Sequence, residues 1–551
     1  MCRWVVWCVL CLFLVTTNVN GQPQYGFRIS FTDKGGTTQS LSNPLGFLSQ
    51  RAIDRRTAQS IAIDSTDLPV SPAYMDSVLT LTSGKVHMTS KWFNYTILLL
   101  NDSSKIQNIQ GKLFIKSIEY IAYYSTGLHK GTGNNNTQTY AKTTGSSAYY
   151  GATYNQSALV NGDYLHDIGW KGQGKLIAVL DEGFAGVNGA PAFDSLMNSG
   201  RLKDQYNFVQ ANTNVFTSGQ HGTTALSTMA GNLPGIYVGS APESDYALYN
   251  TEVGGTEQVL EMDNIVAASE RADSVGADVI TISVGYDKFT LPVPFSLTYA
   301  EIDGKTTIAT KGVNMATTKG ILMVVSAGNE GGGSWNYILT PGDADSALTV
   351  GSVGLDKVPA SNSGYGPNSA GTIKPNVCMP GAPAAVIRTT TTPTFTSGTS
   401  YATPQLAGWA ACLMQASGNF TPYEIRTAIE KSAHRYGNPG PQLGHGVPNF
   451  HYALELLNVK EVAKMPDANN WVTVGPNPFN SQLRVRVYKE RNADLGLQLT
   501  DMSGRVVYTY NTNVSVGTQT ITLEMPHLPN GMYFLKITSD EEEKVLKMVR
   551  Y

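Results

Sequence analysis

The chain is poor in cysteine, modest in charge, and has no long apolar run past its start. It carries 5 cysteines in 551 residues. Cys2, Cys8 and Cys11 crowd the N-terminus, so only Cys378 and Cys412 remain beyond it. Two cysteines exclude a disulfide framework and leave open one bridge or two buried thiols. Charged residues make up 15% and the net charge is −3. Neither sign dominates, which removes the electrostatic basis for nucleic acid as a partner. Past the N-terminal leader, no segment is long and apolar enough to span a bilayer, so no membrane span is expected in the mature chain. There is no His-Glu-x-x-His, which excludes a zinc protease of that kind. No ligand run of the EF-hand type is present for calcium. Internal repeats and low-complexity tracts are absent too.

What is present divides the chain. Its length predicts three or four units. Apolar residues at 41% describe a globular protein. Arg3 precedes the apolar run Trp4–Val15, and small or polar residues follow to Gly21. That order is a secretory signal peptide, expected over 1–21 with cleavage after Gly21. Residues 22–130 read as a small α+β unit. Strands are expected at Tyr25–Phe31, Val86–Ser90, Tyr95–Leu100 and Leu113–Ala122. Helices are expected at Leu45–Ser60, bearing Arg51, Arg55 and Arg56, and at Pro72–Leu81. The stretch Gly131–Gln138 has no apolar residue, so 131–149 is read as an exposed linker with a processing site.

Residues 150–458 alternate short aliphatic runs with helical segments. Leu176–Leu180, Val279–Val284 and Ile321–Val325 are unbroken, as suits strands buried on both faces of a parallel sheet. A helical pattern such as Glu257–Ser274 lies between them. The reading is an α/β, doubly wound domain. After a polar linker, 459–470, the region 471–551 alternates with period two between turn signals and reads as an all-β sandwich.

In open α/β sheets, ligands bind beyond the carboxyl ends of the strands. Asp181 follows the first aliphatic run, Ser283-Val284-Gly285 end the second, and Ser326-Ala327-Gly328-Asn329 follow the third. His221 opens a helical segment of small residues, and Ser400 stands just before the apolar helix Ala402–Ser417. Singly, these read as a turn aspartate, a turn asparagine, a surface histidine and a helix N-cap. Together they are the carboxylate, imidazole and hydroxyl that a serine nucleophile requires. The segment around Ser400 lacks the second glycine of an α/β-hydrolase elbow.

These stretches resemble the subtilase motifs: Leu176-Ile-Ala-Val-Leu-Asp181, His221-Gly-Thr, and Gly398-Thr-Ser-Tyr-Ala-Thr-Pro404. Ala327-Gly-Asn-Glu-Gly331 and Lys374-Pro-Asn-Val-Cys-Met-Pro-Gly381 also match. The resemblance implies a subtilisin-like sheet and a secreted serine endopeptidase made as a zymogen. It implies Ser400 as nucleophile, His221 as base, Asp181 as orienting carboxylate and Asn329 as oxyanion donor. It implies Ser283, Val284 and Gly285 as the backbone that pairs with substrate, and Ser326, Ala327 and Gly328 as a pocket wall. Glu182, Thr224 and Tyr401 depart from the residues usual at their positions. Residues 22–130 resemble the inhibitory prodomain of Bacteroidetes-type subtilases. Gly475-Pro-Asn-Pro-Phe479, Asp501-Met-Ser-Gly-Arg505 and Leu528-Pro-Asn-Gly-Met-Tyr-Phe534 resemble a type IX secretion sorting domain; a sugar-binding or adhesive module is the alternative. Implied partners are protein or peptide substrates, the chain's own prodomain and the type IX machinery. The implied location is the medium or the outer-membrane surface, reached via the periplasm. No cofactor is expected beyond calcium, which is common in the family and whose ligands the sequence leaves open. The competing reading is an inactive peptide-binding or adhesive surface protein with this fold.

Overall fold

The computed structural model describes residues 24–124, 148–418, 420–458, 471–475, 479, 482–489, 491–540 and 542–550. The expected leader (1–21), nearly all of the linker 131–149 and the linker 459–470 lie outside the described residues.

The N-terminal unit is a four-stranded antiparallel sheet with two helices. Strands β1 (Gln24–Phe31), β2 (Lys85–Ser90), β3 (Tyr95–Leu100) and β4 (Ile115–Tyr124) lie in the order β2-β3-β1-β4. Helix α1 (Gln50–Ala58) is shorter than the pattern Leu45–Ser60 predicts. Pro44–Gly46 forms only a single tight turn, and the Ser49 side chain then accepts from the Ala52 N–H as N-cap, which fixes the start. Helix α2 (Pro72–Thr82) begins on a proline, whose missing N–H costs nothing there.

The central unit is a seven-stranded parallel sheet. It is built from β5 (Leu176–Asp181), β6 (Leu202–Asn207), β7 (Asp245–Asn250), β8 (Val279–Ile282), β9 (Leu322–Ser326), β10 (Leu348–Val353) and β11 (Val377–Pro380). The order is β11-β10-β9-β8-β5-β7-β6. The chain runs outward from β5 and then returns to β8, so the switch point lies between those two strands. Every residue of β5, β8 and β9 is buried. Alternate side chains serve opposite faces. Ile177 and Val179 join α3 (His221–Ala230) and α6 (Thr399–Ser417) in one core. Leu176, Ala178 and Leu180 join α4 (Val259–Val275) and α5 (Ile308–Thr318) in the other. Each such aliphatic side chain stabilises the sheet by roughly 1.5–3 kcal/mol. The expected doubly wound architecture is thus present. Helices α7 (Pro422–Ser432) and α8 (Phe450–Asn458) follow α6 and close this unit.

The prodomain-like unit sits on the α4 side. Trp92, Tyr95 and Ile97 share the core of Leu260 and Ile265. Arg28 forks onto Asp263 at 2.8 and 2.6 Å. Arg55 and Arg56 meet Asp273 at 2.5 and 2.7 Å. Of the basic residues read on the first helix, Arg55 and Arg56 therefore face Asp273 of α4, and Arg51 pairs with Asp278 just beyond it.

The C-terminal unit packs two antiparallel sheets. One is β12 (Val472–Gly475), β13 (Gln482–Lys489) and β16 (Gly517–Glu524). The other holds β14 (Ala493–Asp501), β15 (Val506–Val514), β17 (Gly531–Ser539) and β18 (Glu542–Arg550). Leu483 and Val485 from the first meet Leu495, Leu497 and Ile537 from the second in one core, which makes this unit the expected sandwich. No helix among the described residues is long and apolar enough to cross a membrane.

Candidate active site

Asp181 ends β5, beside the switch point, and is fully buried. Its Oδ1 accepts from the backbone N–H of Glu182 at 2.8 Å and lies 2.7 Å from His221 Nδ1. A carboxylate only accepts, so the Nδ1 carries the proton and Nε2 is left as the basic nitrogen. Asp181 Oδ2 has no hydrogen bond among the described residues. Helix α3 can bring His221 this close because the next residue is glycine. A Cβ at Gly222 would lie 2.4 Å from the Gly183 carbonyl oxygen and 3.0 Å from Asp181 Cβ.

The His221 side chain is 30% exposed, so it faces solvent at the sheet edge. Burial opposes its charge, but Asp181, with Glu182 and Glu252 farther off, outweighs that and holds its pKa above the usual value. The Tyr401 ring lies 5.7 Å from the imidazole, centroid to centroid.

Ser400 is not the N-cap of its helix. Helix α6 begins at Thr399 with Gly398 as N-cap, so Ser400 lies in the first turn. Its backbone N–H therefore has no helical acceptor, and it stands at the positive end of the helix dipole. Pro404 is an interior helical residue, lacking the N–H that would bond the Ser400 carbonyl. The Ser400 hydroxyl donates to the Ser283 carbonyl oxygen at 3.0 Å and has no bond to the imidazole.

Asn329 is held by its oxygen. Its Oδ1 accepts from the Thr399 N–H at 2.9 Å and from the Thr399 hydroxyl at 3.1 Å. Its exposed amide N–H groups have no acceptor among the described residues. The sequence reading missed Thr399 in this role, although it stands inside the quoted serine motif.

Strand β8 stops at Ile282, two residues before the predicted end. Ser283 is buried, whereas Val284 and Gly285 are half-exposed past the strand end. Ser326 ends β9 on the neighbouring side, Ala327 and Gly328 follow it, and all three are buried. The Ala327 N–H bonds the Val350 carbonyl, and Ala327 accepts from the Leu339 N–H, which fixes this wall. Thr224 carries Arg388, whose Nε donates to its hydroxyl at 3.1 Å.

Cys378 and Cys412 are both free and buried, so the bridge left open by the sequence is not formed. Burial pushes the Cys378 thiol up to about 12, which makes it inert. One acidic group among the described residues could hold a cation: carboxylate oxygens of Glu252, Glu257 and Glu261 lie within 4.8 Å of one another. Two of its members are already engaged. Glu261 accepts from the backbone N–H groups of Val253 and Gln258, and Glu252 from the hydroxyls of Thr251 and Tyr286.

Comparison with known proteins agrees with the motifs. The chain matches the subtilase family over residues 172–449. It matches the peptidase S8 propeptide domain of Bacteroidota over 26–139 and a secretion system C-terminal sorting domain over 473–550. Subtilisin DY of Bacillus licheniformis is 28% identical over 309 residues, covering 56% of this chain and 97% of that protein. The subtilisin of Bacillus pumilus is 29% identical over 304 residues, 54% of this chain and 94% of that one. The crystal structure of MycP1 with its N-terminal propeptide removed aligns at 23% identity over 54% of this chain and 96% of that one, with a TM-score of 0.44. The sorting domain marks a protein that leaves through the periplasm for the outer-membrane surface or the medium. The chain belongs to the subtilase family, as a subtilisin-like serine endopeptidase that carries a Bacteroidota-type propeptide and a C-terminal sorting domain.

Proposed function

We propose that this endopeptidase cleaves peptide bonds through Ser400, His221 and Asp181, with Asn329 and the Ser400 backbone N–H binding the oxyanion. The observation that carries this reading is the 2.7 Å contact of His221 Nδ1 with a fully buried Asp181, which leaves Nε2 basic at the edge where Ser400 stands. An extended peptide pairs with the backbone of Ser283, Val284 and Gly285 as an added strand. Its last residue before the cut lies against Ser326, Ala327 and Gly328.

The Ser400 hydroxyl first turns from the Ser283 carbonyl toward His221 Nε2, a single side-chain rotation. Its oxygen attacks the scissile carbonyl carbon while Nε2 takes the proton. The carbonyl oxygen becomes an oxyanion, met by the free amide of Asn329 and the helix-start N–H. The imidazolium, held by Asp181, then gives its proton to the leaving amine as the C–N bond breaks. Water repeats the sequence on the acyl-enzyme and frees the acid. None of these steps calls for a cofactor. The oxygens of Glu252 and Glu261 are already taken by hydrogen bonds, so the acidic group they form with Glu257 does not fit calcium.

A fluorophosphonate probe tests the assignment. It should label the mature protein at Ser400, and labelling should vanish in Ser400→Ala and nearly vanish in His221→Ala. Labelling that survives Ser400→Ala would move the nucleophile elsewhere. Asn329→Ala should lower kcat roughly 10²–10³-fold with little change in KM, a magnitude taken from a subtilisin, a relative of this chain.

A further inference from the structure

The strand ends around the site lie in the order β9, β8, β5, β7. A peptide laid along Ser283–Gly285 runs over the end of β8. Its side chains alternate between its two sides. The first residue before the cut points toward β9, against Ser326–Gly328. The second residue before the cut must then point the other way, over the ends of β5 and β7. Those ends carry Glu182, directly after Asp181, and the stretch Asn250–Val253.

A cavity of about 430 Å³ opens there. Its wall includes Glu182, Ser218, Gly219, Asn250, Glu252 and Val253, and the two glutamates are its only charged residues. The Glu182 carboxylate has no hydrogen bond or ion pair among the described residues. It leans over Gly254, where a Cβ would come 2.9 Å from Oε1. Glu252 is held in place from behind, its two oxygens accepting from Thr251 Oγ1 and Tyr286 Oη at 2.7 Å each. Burial holds both carboxyls above the usual carboxylate range. His221 offsets that burial only in part for Glu182, and hydroxyl bonds only in part for Glu252, so an arriving cation would favour the charged forms of both. An apolar side chain would deepen that desolvation, and an acidic one would be repelled.

We propose that the enzyme selects arginine or lysine at the second residue before the cut, and that Glu182 and Glu252 are the selecting groups. The inference rests on the cleavage at Ser400 proposed above. Arginine fits best, because its planar fork can meet two carboxylates at once.

The test uses mature enzyme and fluorogenic peptides that differ only at that residue: arginine, leucine or aspartate. Wild type should cleave the arginine peptide with kcat/KM at least about tenfold above leucine, with aspartate lowest. Glu182→Gln should pull the arginine-to-leucine ratio toward one, and Glu252→Gln should act in the same direction. Glu182→Lys should reverse the order of arginine and aspartate. Each ratio compares two substrates in one enzyme, so any effect of Glu182 on His221 cancels. Equal kcat/KM for arginine and leucine in wild type overturns the inference and leaves the peptidase reading standing. A ratio untouched by both glutamine variants does the same. If wild type cleaves none of the peptides any faster than Ser400→Ala, the peptidase reading falls, and the inference with it.

Discussion

At the scale of single residues, the balance of charge around His221 sets the pH range of the enzyme. Burial lowers the imidazole pKa, but Asp181, Glu182 and Glu252 raise it more. The base must be neutral to accept the serine proton. A raised pKa keeps it protonated to higher pH, so the acid limb of kcat/KM should lie above the ~6.5 of a free imidazole. Activity then rises as pH climbs through that limb. Glu182→Gln removes one of the raising charges and should shift the limb to lower pH. A profile of kcat/KM against pH for both proteins checks this; an unshifted limb would mean that Glu182 is not felt at the imidazole. Asp181, His221, Asn329 and Ser400 were legible in the sequence because each stands at a strand end or helix start beside a recognisable run. The work of Thr399 was not. Its bond to Asn329 joins positions 70 apart, and nothing in the local pattern announces it. The departure at Glu182 was visible, but its meaning depends on Glu252 and the cavity between them.

At the scale of elements, the site is a matter of how closely helices approach strand ends. Gly222 is one such point, because its missing Cβ is what lets α3 touch the end of β5. Gly222→Ala would press a methyl group against the Gly183 carbonyl, and backbone cannot move aside as a side chain does. Overpacking of this sort costs about 1–3 kcal/mol. The larger loss should be functional, since a shifted α3 pulls Nδ1 from Asp181. We expect fluorophosphonate labelling of Gly222→Ala to slow at least tenfold while its melting temperature falls by only a few degrees. Labelling at the wild-type rate would show that the contact tolerates the added group. The buried strands β5, β8 and β9 were readable as aliphatic runs. β6, Leu202-Lys-Asp-Gln-Tyr-Asn207, was not, because it is the edge strand and mostly half-exposed, so its polar residues hide the pattern. β18 escaped for a similar reason: it is an edge strand, and charged Glu543 and Lys547 stand among its exposed positions.

At the scale of the whole molecule, three units divide the labour, and the joints between them differ. The first joint is ionic and buried. Asp273 is fully enclosed and takes both Arg55 and Arg56, while Glu270 accepts from Ser90 Oγ and from the N–H groups of Lys91 and Trp92. Removing Asp273 leaves the buried Arg55 without its carboxylate, while Arg56 keeps Asp67, a loss of about 3–5 kcal/mol for a buried pair. After cleavage in the segment 125–147, wild type should keep residues 24–124 bound on native size-exclusion. Asp273→Ala should let them go and show peptidase activity sooner. The second joint carries no chemistry. Every residue assigned to the reaction precedes β12, and the C-terminal sandwich has its own core of Leu483, Val485, Leu495, Leu497 and Ile537. A unit that closes its own core need not support another's fold. Deletion of 471–551 should therefore leave kcat/KM within about twofold of the full enzyme in vitro. In the native host the same deletion should strand the enzyme in the periplasm, because the address is gone. A fluorescent protein bearing a signal peptide and residues 459–551 should be exported across the outer membrane. If that fusion stays periplasmic while the host's other cargo leaves, residues 459–551 are not a sufficient address. If the deletion abolishes catalysis in vitro, the sandwich supports the active unit and the separation of labour is wrong.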